Sequence, residues 1–187
     1  MTEPSDEDLV RQCRAGELKA FDMLVARHQR TVYNLALRMV RSGDDAADIA
    51  QTVFVKAYEN LERFDPQYKF FSWLYRIAVN ESLNAVEQKK RFEGLDGVDV
   101  AVEAAEEKDD ETLRQEERIQ SGLMLLSVDQ RAVIVLKHMQ GLSYREIAQV
   151  LDLPEKTVKS RLFSARQAFK DILKRKGRRR NDRRRAS

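Results

Sequence analysis

The sequence predicts an all-α protein. Glycine and proline, which interrupt helices, are scarce, with seven glycines and three prolines in 187 residues. Apolar residues recur every three to four positions, and no segment keeps the alternation typical of a strand. The chain is expected to form two small helical domains, residues 1–92 and 113–175. An acidic flexible linker over residues 93–112 joins them, and a disordered basic tail follows over residues 176–187.

Helical spacing and cap residues predict the individual elements. In the first domain the expected helices are Asp6 to Arg14, Lys19 to Met39, Asp44 to about Leu61, and Ser72 to Lys90 or Arg91. Phe64 to Tyr68 is expected to be a loop. In the second domain a helix from Glu111 to about Leu126 precedes a helix that begins with a capping box of Ser127 and Gln130 and ends near Gly141.

Charge is distributed unevenly along a chain whose formal net charge is only +3. Residues 93–117 carry a net charge of −9, and residues 170–187 carry a net charge of +8. The acidic block repels nucleic acid, and the basic tail attracts it. We therefore expect the tail to add sequence-independent contacts to DNA phosphates.

Residues 141–166 have the pattern of a helix-turn-helix, whose second helix lies in the major groove of DNA. Ser143 and Glu146 can form a capping box for the first helix, and Pro154 lies at the break between the helices. The second helix has an apolar stripe of Val158, Leu162 and Ala165. Next to it lie the polar and basic residues Lys159, Ser160 and Arg161. The alternative is an ordinary helical hairpin with a solvated basic face.

The predicted helix from Asp44 has two distinct faces. One can fill a core and consists of Ala46, Ala47, Ala50, Val53, Phe54, Ala57, Tyr58 and Leu61. The other mixes polar and small apolar residues at helical spacing: Asp48, Gln51, Thr52 and Val55. This second face can dock a partner helix or simply contact solvent, and the spacing favours neither.

A stripe on the helix from Ser72 suits unpaired nucleic-acid bases. It combines aromatic, guanidinium and amide groups in Trp73, Arg76, Asn80 and Asn84. Such groups stack on the flat faces of bases and bond their edges. The cationic end of the helix, Lys89, Lys90 and Arg91, suits phosphates. The alternative, that Trp73 and Phe70 only fill the core, stays open.

Several kinds of site are not expected. The single cysteine, Cys13, excludes an intrachain disulfide and a cysteine-clustered zinc site. His28 and His138 stand alone in apolar patterns and are expected in or beside the core. Without a phosphate-binding glycine loop or a nucleophile elbow, we expect no enzyme activity, cofactor or metal. The chain has neither a long apolar run nor a signal-peptide start, so we expect a cytoplasmic protein.

Three segments together resemble a bacterial RNA polymerase sigma factor of the extracytoplasmic-function (ECF) class of the sigma-70 family. They are Asp48 to Phe54, Phe71 to Asn80, and Gly141 to Arg166. The resemblance implies a sigma2-like bundle and a sigma4-like helix-turn-helix domain joined by the acidic linker. It also implies a promoter-recognition subunit whose partners are core RNA polymerase, promoter DNA and an anti-sigma factor, with no membrane insertion and no small-molecule substrate.

The same resemblance implies roles for individual residues. Core polymerase would be bound by Asp48, Gln51, Thr52 and Val55. The minus-10 element would be bound and melted by Trp73, Arg76, Asn80, Asn84, Lys89, Lys90 and Arg91. The minus-35 element would be contacted by Lys156, Thr157, Lys159, Ser160, Arg161, Phe163, Ser164 and Arg166.

Two other functions remain as alternatives. A repressor or activator that acts without polymerase would explain the C-terminal domain equally well, but not the Asp48 face or the aromatic–asparagine stripe. A nuclease would need clustered carboxylates that hold a metal ion, whereas the dense acid here falls in the predicted linker.

Overall fold

The structure is a computed structural model that describes residues 3–92 and 111–185, with side chains in the second range described for residues 113–175. Every regular element in these residues is helical, which confirms the predicted fold class. In chain order the elements are α1 (Asp6–Arg14), α2 (Leu18–Val40), α3 (Gly43–Glu59), a 3-10 turn (Leu61–Arg63), α4 (Phe70–Phe92), α5 (Glu111–Met124), α6 (Val128–Ile134), a π-helical turn (Val135–Met139), α7 (Tyr144–Leu151) and α8 (Glu155–Arg185). The predicted linker lies outside the described residues, except for the two that begin α5.

Helices α1 to α4 form a first group around a shared core. Helix α2 packs against α1, α3 and α4 and buries a stripe of Leu24, Val32, Leu35 and Met39. A capping box of Ser5 and Asp8 starts α1. His28 is buried, as predicted, and its Nε2 lies 2.8 Å from Oδ2 of Asp6. Burial raises the pKa of Asp6, but hydrogen bonds from His28 and Arg27 outweigh it and lower that pKa.

Helices α5 to α8 form a second group, whose fully buried side chains include Leu123, Leu136, Ile147 and Leu162. Ser127 caps α6 by accepting a hydrogen bond from the backbone N–H of Gln130 at 3.3 Å. The reciprocal bond of the predicted capping box is not formed there. Glutamine carries no charge toward the positive end of the helix dipole, so that bond is weakly favoured.

Buried Arg131 ties the two groups together. Its guanidinium donates to the carbonyls of Leu123 and Met124 at the end of α5 and of Leu126 just beyond it. It also donates to the carbonyl of Met39 near the end of α2. Helix α4 also packs against α7, and α2 packs against α5. The sequence predicted two groups with separate cores, and the structure adds an interface between them.

The C-terminal helix is longer than the sequence predicted. The backbone of α8 is helical as far as Arg185, where a disordered tail was expected from residue 176. Arginine and lysine are good helix formers, and a helix that is already nucleated by packing propagates at little cost. The mutual repulsion of the basic side chains favoured the disordered alternative.

A close approach of α5 to α8 makes Gly122 a sensitive position. A Cβ atom there would lie 2.8 Å from Cε2 of Phe169 and 3.3 Å from Cδ2 of Leu173. We predict that Gly122→Ala destabilises the protein by about 1 kcal/mol, because an overpacking cost of about 1–3 kcal/mol exceeds the gain in helix propensity of about 1 kcal/mol. Thermal unfolding monitored by circular dichroism measures this change.

Gly43→Ala is the matched control. It lies at the start of α3, and its added Cβ would meet only Oη of Tyr33, at an ordinary 3.5 Å. Its melting temperature should stay equal to that of the wild type or rise. Equal effects of the two substitutions would contradict the proposed close contact.

Candidate nucleic-acid interfaces

The helix-turn-helix formed by α7 and α8 is built as the sequence predicted. Ser143 and Glu146 form a full capping box, with Glu146 N–H donating to Oγ of Ser143 at 3.2 Å and Ser143 N–H donating to Oε2 of Glu146 at 2.9 Å. Asp152 ends α7 in the left-handed conformation at φ 53°. Pro154 then precedes α8, and its carbonyl accepts from the N–H groups of the first turn. The two helices are therefore set in a fixed relation by local bonds.

Helix α8 separates a buried stripe from an outward face. Val158, Leu162 and Ala165 are at most 1% exposed, as predicted. Val150 of α7 is also buried in the core, although the sequence pattern did not single it out. The predicted minus-35 residues all lie off this stripe. Six of them are exposed: Lys156, Lys159, Ser160, Phe163, Ser164 and Arg166. The other two, Thr157 and Arg161, are half-buried. The outward face is therefore free to enter a groove.

Local contacts orient the cations of this face. Lys159 Nζ lies 2.9 Å from Glu155 Oε1, and the hydrogen bond to Glu155 raises the pKa of Lys159. Arg161 pairs with Asp129 at 3.3 Å. Arg166 Nε donates to Nε2 of His138 at 3.1 Å. Burial and the nearby cations lower the pKa of His138, so its ring is neutral at pH 7 and can accept that bond.

The predicted minus-10 stripe lies on α4, but its members differ in exposure. Arg76, Asn80 and Asn84 are exposed, and so are Lys89, Lys90 and Arg91 at the end of the helix. Trp73 is half-buried, with its ring centroid 5.4 Å from that of Phe64 and 5.8 Å from that of Phe70. Trp73 thus belongs partly to the core, and Phe70 does so entirely at 1% exposed.

A hollow of about 780 Å³ opens between this stripe and the helix-turn-helix. From the first group it is lined by Arg63, Phe64, Asp65, Gln67, Tyr68, Ser72, Trp73 and Arg76. The buried hydroxyl of Ser72 has no hydrogen-bond partner in the described part of the chain. The sequence pattern suggested Ser72 only as a helix start and Phe64 to Tyr68 only as a loop. The aromatic and cationic residues beside that loop were the sequence signal that could have pointed to the hollow.

Helix α7 covers part of the α4 surface. Lys69 Nζ lies 2.7 Å from Oε1 of Glu146, and Arg76 donates to Oδ2 of Asp152 at 2.8 Å. The hydrogen bond from Lys69, followed by those from Ser143, lowers the pKa of Glu146 to about 2. Arg76, which belongs to the predicted minus-10 stripe, and Lys69, which lies beside it, are therefore paired with acidic residues of the helix-turn-helix.

A third surface lies on α3, away from this contact. Asp48, Gln51 and Val55 are exposed, and Thr52 is half-buried with its hydroxyl donating to the Asp48 carbonyl at 2.9 Å. Beside them is a mainly apolar hollow of about 650 Å³ between α2 and α3. Its lining includes Phe21, Val25, Ala50, Gln51, Phe54, Val55 and Tyr58.

The structure corrects two predicted core positions of α3. Ala47 is exposed and Tyr58 is 50% exposed, whereas Ile49 is buried. The reason is helical geometry, because positions 47, 51, 55 and 58 share one side of the helix. Tyr58 instead contacts the ring of Phe21 at 5.0 Å, edge to face. The polar face therefore continues into an exposed apolar patch, which favours a docking surface over a merely solvated one.

In the part of the chain that the structure describes, the lone cysteine and the metal-binding types of side chain form no further candidate site. Cys13 is half-buried, and burial raises the pKa of its thiol. Across residues 3–92 and 111–185, no cluster of histidine, cysteine and carboxylate side chains could hold a metal ion. None of the helices within those ranges is long and apolar enough to cross a membrane.

Comparisons with known proteins match both helical groups. The Sigma-70 region 2 family matches residues 24–92, and the Sigma-70 region 4 family matches residues 116–169. The chain is 38% identical to the ECF RNA polymerase sigma-E factor of Escherichia coli K12, over 88% of this chain and 92% of that protein. It is 34% identical to the RNA polymerase sigma-H factor of Pseudomonas aeruginosa, over 92% of this chain and 96% of that protein.

Solved structures are similar along most of the chain. CnrH in complex with the cytosolic domain of CnrY superposes with a TM-score of 0.72 at 30% identity, covering 91% of this chain and 98% of that one. The sigma factor RpoE of Bartonella quintana, in complex with the anti-sigma factor NepR, gives a TM-score of 0.67 at 26% identity, covering 84% and 98%.

The lowered pKa of Glu146 predicts a pH-dependent contribution to stability. At pH 7 we expect Glu146→Gln to lower the free energy of unfolding by about 1 kcal/mol, the usual worth of a helix cap. A carboxylate with a lowered pKa stabilises the fold above its ordinary pKa of 4.5 and loses that effect as the pH falls toward 2. Urea unfolding between pH 7 and pH 2.5 should show the variant and the wild type converging.

Lys69→Met serves as the control for the cause of this shift. Removal of the main hydrogen-bond donor should raise the pKa of Glu146, so the effect of Glu146→Gln in this background should vanish at a higher pH. A constant gap between wild type and Glu146→Gln over the whole range would contradict the assignment.

Proposed function

The chain belongs to the extracytoplasmic-function class of the sigma-70 family of RNA polymerase sigma factors, and we propose that its three surfaces divide the work of promoter recognition. Helix α8 reads the minus-35 element, α4 binds and helps to melt the minus-10 element, and α3 binds core RNA polymerase. One observation carries this division: a basic recognition helix and an apolar docking patch occur in one chain, on different helical groups.

For the minus-35 element, the proposal rests on the outward face of α8. Lysine and arginine bond the O6 and N7 atoms of guanine, and serine bonds several base edges. Lys159, Ser160 and Ser164 supply these groups in successive turns, and Phe163, 67% exposed, can contact a thymine methyl. Lys156, Thr157, Arg161 and Arg166 flank them and suit phosphates.

For the minus-10 element, the proposal rests on the exposed stripe of α4 and the hollow beside it. Asn80 and Asn84 offer amide groups to base edges, and Lys89, Lys90 and Arg91 offer cations to the backbone. We add Ser72 to the predicted set, because its unpartnered buried hydroxyl lines a hollow with Tyr68 and Trp73. Such a hollow suits a base that has left the duplex stack.

For core polymerase, the proposal rests on the patch formed by Asp48, Gln51, Thr52 and Val55 together with Phe21 and Tyr58. An apolar groove with a polar rim is the usual receptor for an amphipathic helix. The chain itself supplies no chemistry in this scheme. Polymerase catalyses synthesis, and the site of action is the bacterial cytoplasm.

We also propose control by an anti-sigma factor. Both similar solved structures cited above are complexes, one with the cytosolic domain of CnrY and one with NepR. A repressor that acts without polymerase remains the alternative function. Size-exclusion chromatography with purified core polymerase separates the two, since a sigma factor co-elutes and a repressor does not.

The docking patch predicts a strong effect of charge at its centre. Val55 is 51% exposed there, so Val55→Glu should fold normally and weaken binding to core polymerase by about 30-fold, the effect of losing a 2 kcal/mol hot spot. Met23→Glu is the matched control, since Met23 is similarly exposed but lies on the side of α2 that faces away from the patch. Fluorescence anisotropy with labelled chain measures both affinities, and equal losses would contradict the assigned surface.

The division between the two DNA surfaces predicts separable defects. On a promoter selected by run-off transcription from a random library, Lys159→Ala should weaken initial promoter binding by about 5- to 150-fold, as expected for a base contact of about 1–3 kcal/mol. Asn80→Ala should leave that binding intact and slow strand opening, followed by 2-aminopurine fluorescence. Normal open-complex formation by both variants would refute the assignments. The control is Lys19→Ala, at an exposed position of α2 outside the proposed DNA surfaces.

A further inference from the structure

One cation on the outward face of α8 is held by a neutral side chain. Lys159 and Arg161 of this face are each paired with a carboxylate. Arg166 instead donates from its Nε to Nε2 of His138 at 3.1 Å, and in the described part of the chain no carboxylate lies within ion-pair distance of it. The contact therefore orients the Arg166 guanidinium without cancelling its charge.

His138 lies on the π-helical turn, Val135–Met139, that follows α6. The first two residues of the turn are buried, and His138 is exposed beside them. The neighbouring Lys137 holds the end of the turn, because its Nζ donates to the Leu142 carbonyl at 2.9 Å and lies 5.0 Å from the centre of the Tyr144 ring. Such turns are rare and occur often at functional sites. The imidazole is thus carried by a well-anchored segment outside α8.

The hydrogen bond defines the protonation of the His138 ring. Nε2 can accept a hydrogen bond only when it carries no proton itself, so the neutral ring must hold its proton on Nδ1. Burial and the nearby cations Arg166 and Lys137 lower the pKa of His138, which keeps the ring neutral at pH 7. A carboxylate at this position would also hold Arg166, but it would compete with DNA for the charge of the guanidinium.

The bond to His138 leaves the far edge of the Arg166 guanidinium unused. Only the Nε–H is donated to the imidazole, so the N–H groups on both Nη atoms stay available. Their fork matches the oxygens of a phosphate. An arginine side chain has several rotatable bonds, and fixing them before DNA arrives removes part of the entropy cost of binding.

The position of Arg166 on α8 suits the DNA backbone better than a base. It follows Lys159 by two helical turns, so both lie on one face and about 10 Å apart along the axis. In a helix-turn-helix the N-terminal residues of the recognition helix contact base edges. A cation two turns further along therefore reaches the sugar-phosphate backbone at the edge of the groove.

We propose that His138 is a positioning residue for DNA binding, which holds the Arg166 guanidinium in place for a backbone phosphate beside the minus-35 element. The imidazole acts on DNA through Arg166. Because phosphates carry no sequence information, the pair strengthens binding to every duplex evenly. This inference rests on the proposed function, which assigns the outward face of α8 to DNA.

The free chain tests the geometry. It has two histidines, His28 and His138, so comparison with a His138→Gln spectrum assigns both rings. In a long-range proton–nitrogen correlation spectrum at pH 7.5 we expect His138 to carry its proton on Nδ1. His28 is the internal reference, since its Nε2 lies 2.8 Å from a carboxylate oxygen of Asp6 and must carry a proton there. A proton on Nε2 of His138 would overturn the proposal.

Duplex binding tests the role of the pair. The probe is a fluorescein-labelled pool of random 20-base-pair duplexes, titrated with the full-length chain at several salt concentrations without polymerase. We expect His138→Leu to weaken binding by about two- to tenfold, the value of ordering one long side chain before binding. The slope of log K against log salt should stay unchanged, because Arg166 keeps its charge. Arg166→Met should weaken binding and also reduce the steepness of that slope by about 0.9.

Two comparisons separate positioning from a structural role of His138. In an Arg166→Met background, His138→Leu should have no further effect, whereas in a Lys159→Met background its full effect should remain. His138→Gln should restore the wild-type affinity, because the introduced amide oxygen can accept from Nε of Arg166. Equal losses in every background, or no rescue by glutamine, would overturn the proposal, and so would wild-type affinity of His138→Leu.

The proposed function can fail separately. Co-elution with core polymerase is assigned to α3 and involves neither His138 nor Arg166. A chain that does not co-elute, yet shows the Nδ1 proton and the coupled losses on duplex DNA, would contradict the polymerase-binding role and leave the positioning role intact. Co-elution of a chain in which His138 and Arg166 act independently on DNA would do the reverse.

Discussion

The arrangement of the two helical groups depends on the buried guanidinium of Arg131. One end of α5 and one end of α2 leave carbonyl groups that their own helices cannot satisfy. Arg131 donates to both sets of carbonyls from inside the protein. Burial lowers its pKa to about 10, so the side chain remains charged at neutral pH. The cost of burying that charge is offset only when all these acceptors are present, which couples the packing of the second group to the position of α2.

Acidic residues at the two ends of α7 take part both in the local structure of that helix and in the contacts between the two helical groups. Glu146 closes a capping box at the start of α7 and also pairs with Lys69, the residue just before α4. Asp152 ends the same helix and also binds Arg76. A single short helix therefore fixes the geometry of α8, the proposed recognition helix, and contacts the surface proposed for the minus-10 element. Local folding and the arrangement of the two groups are coupled through the same side chains.

The three candidate surfaces differ in chemistry, as the different partners proposed for them require. The outward face of α8 is cationic and polar and carries one exposed aromatic ring, which suits base edges and phosphates. The patch on α3 is mainly apolar with a polar rim, which suits a protein helix. The α4 surface combines amides with a hollow that holds an unsatisfied hydroxyl. Each surface rests on a helix whose opposite side is buried, so the core holds it rigidly in place.

The sequence by itself determined the all-α class, most helix bounds to within a few residues, the capping box of α7, and the inner stripe of α8. These features follow from contacts between residues three or four positions apart, which a sequence displays directly. Only the tertiary structure decided that Trp73 is half-buried, that Tyr58 is exposed, that Ser72 lines a hollow, and that Arg131 joins the two groups. Each of these depends on residues distant in the chain, and helical spacing carries no information about which face a distant helix will cover.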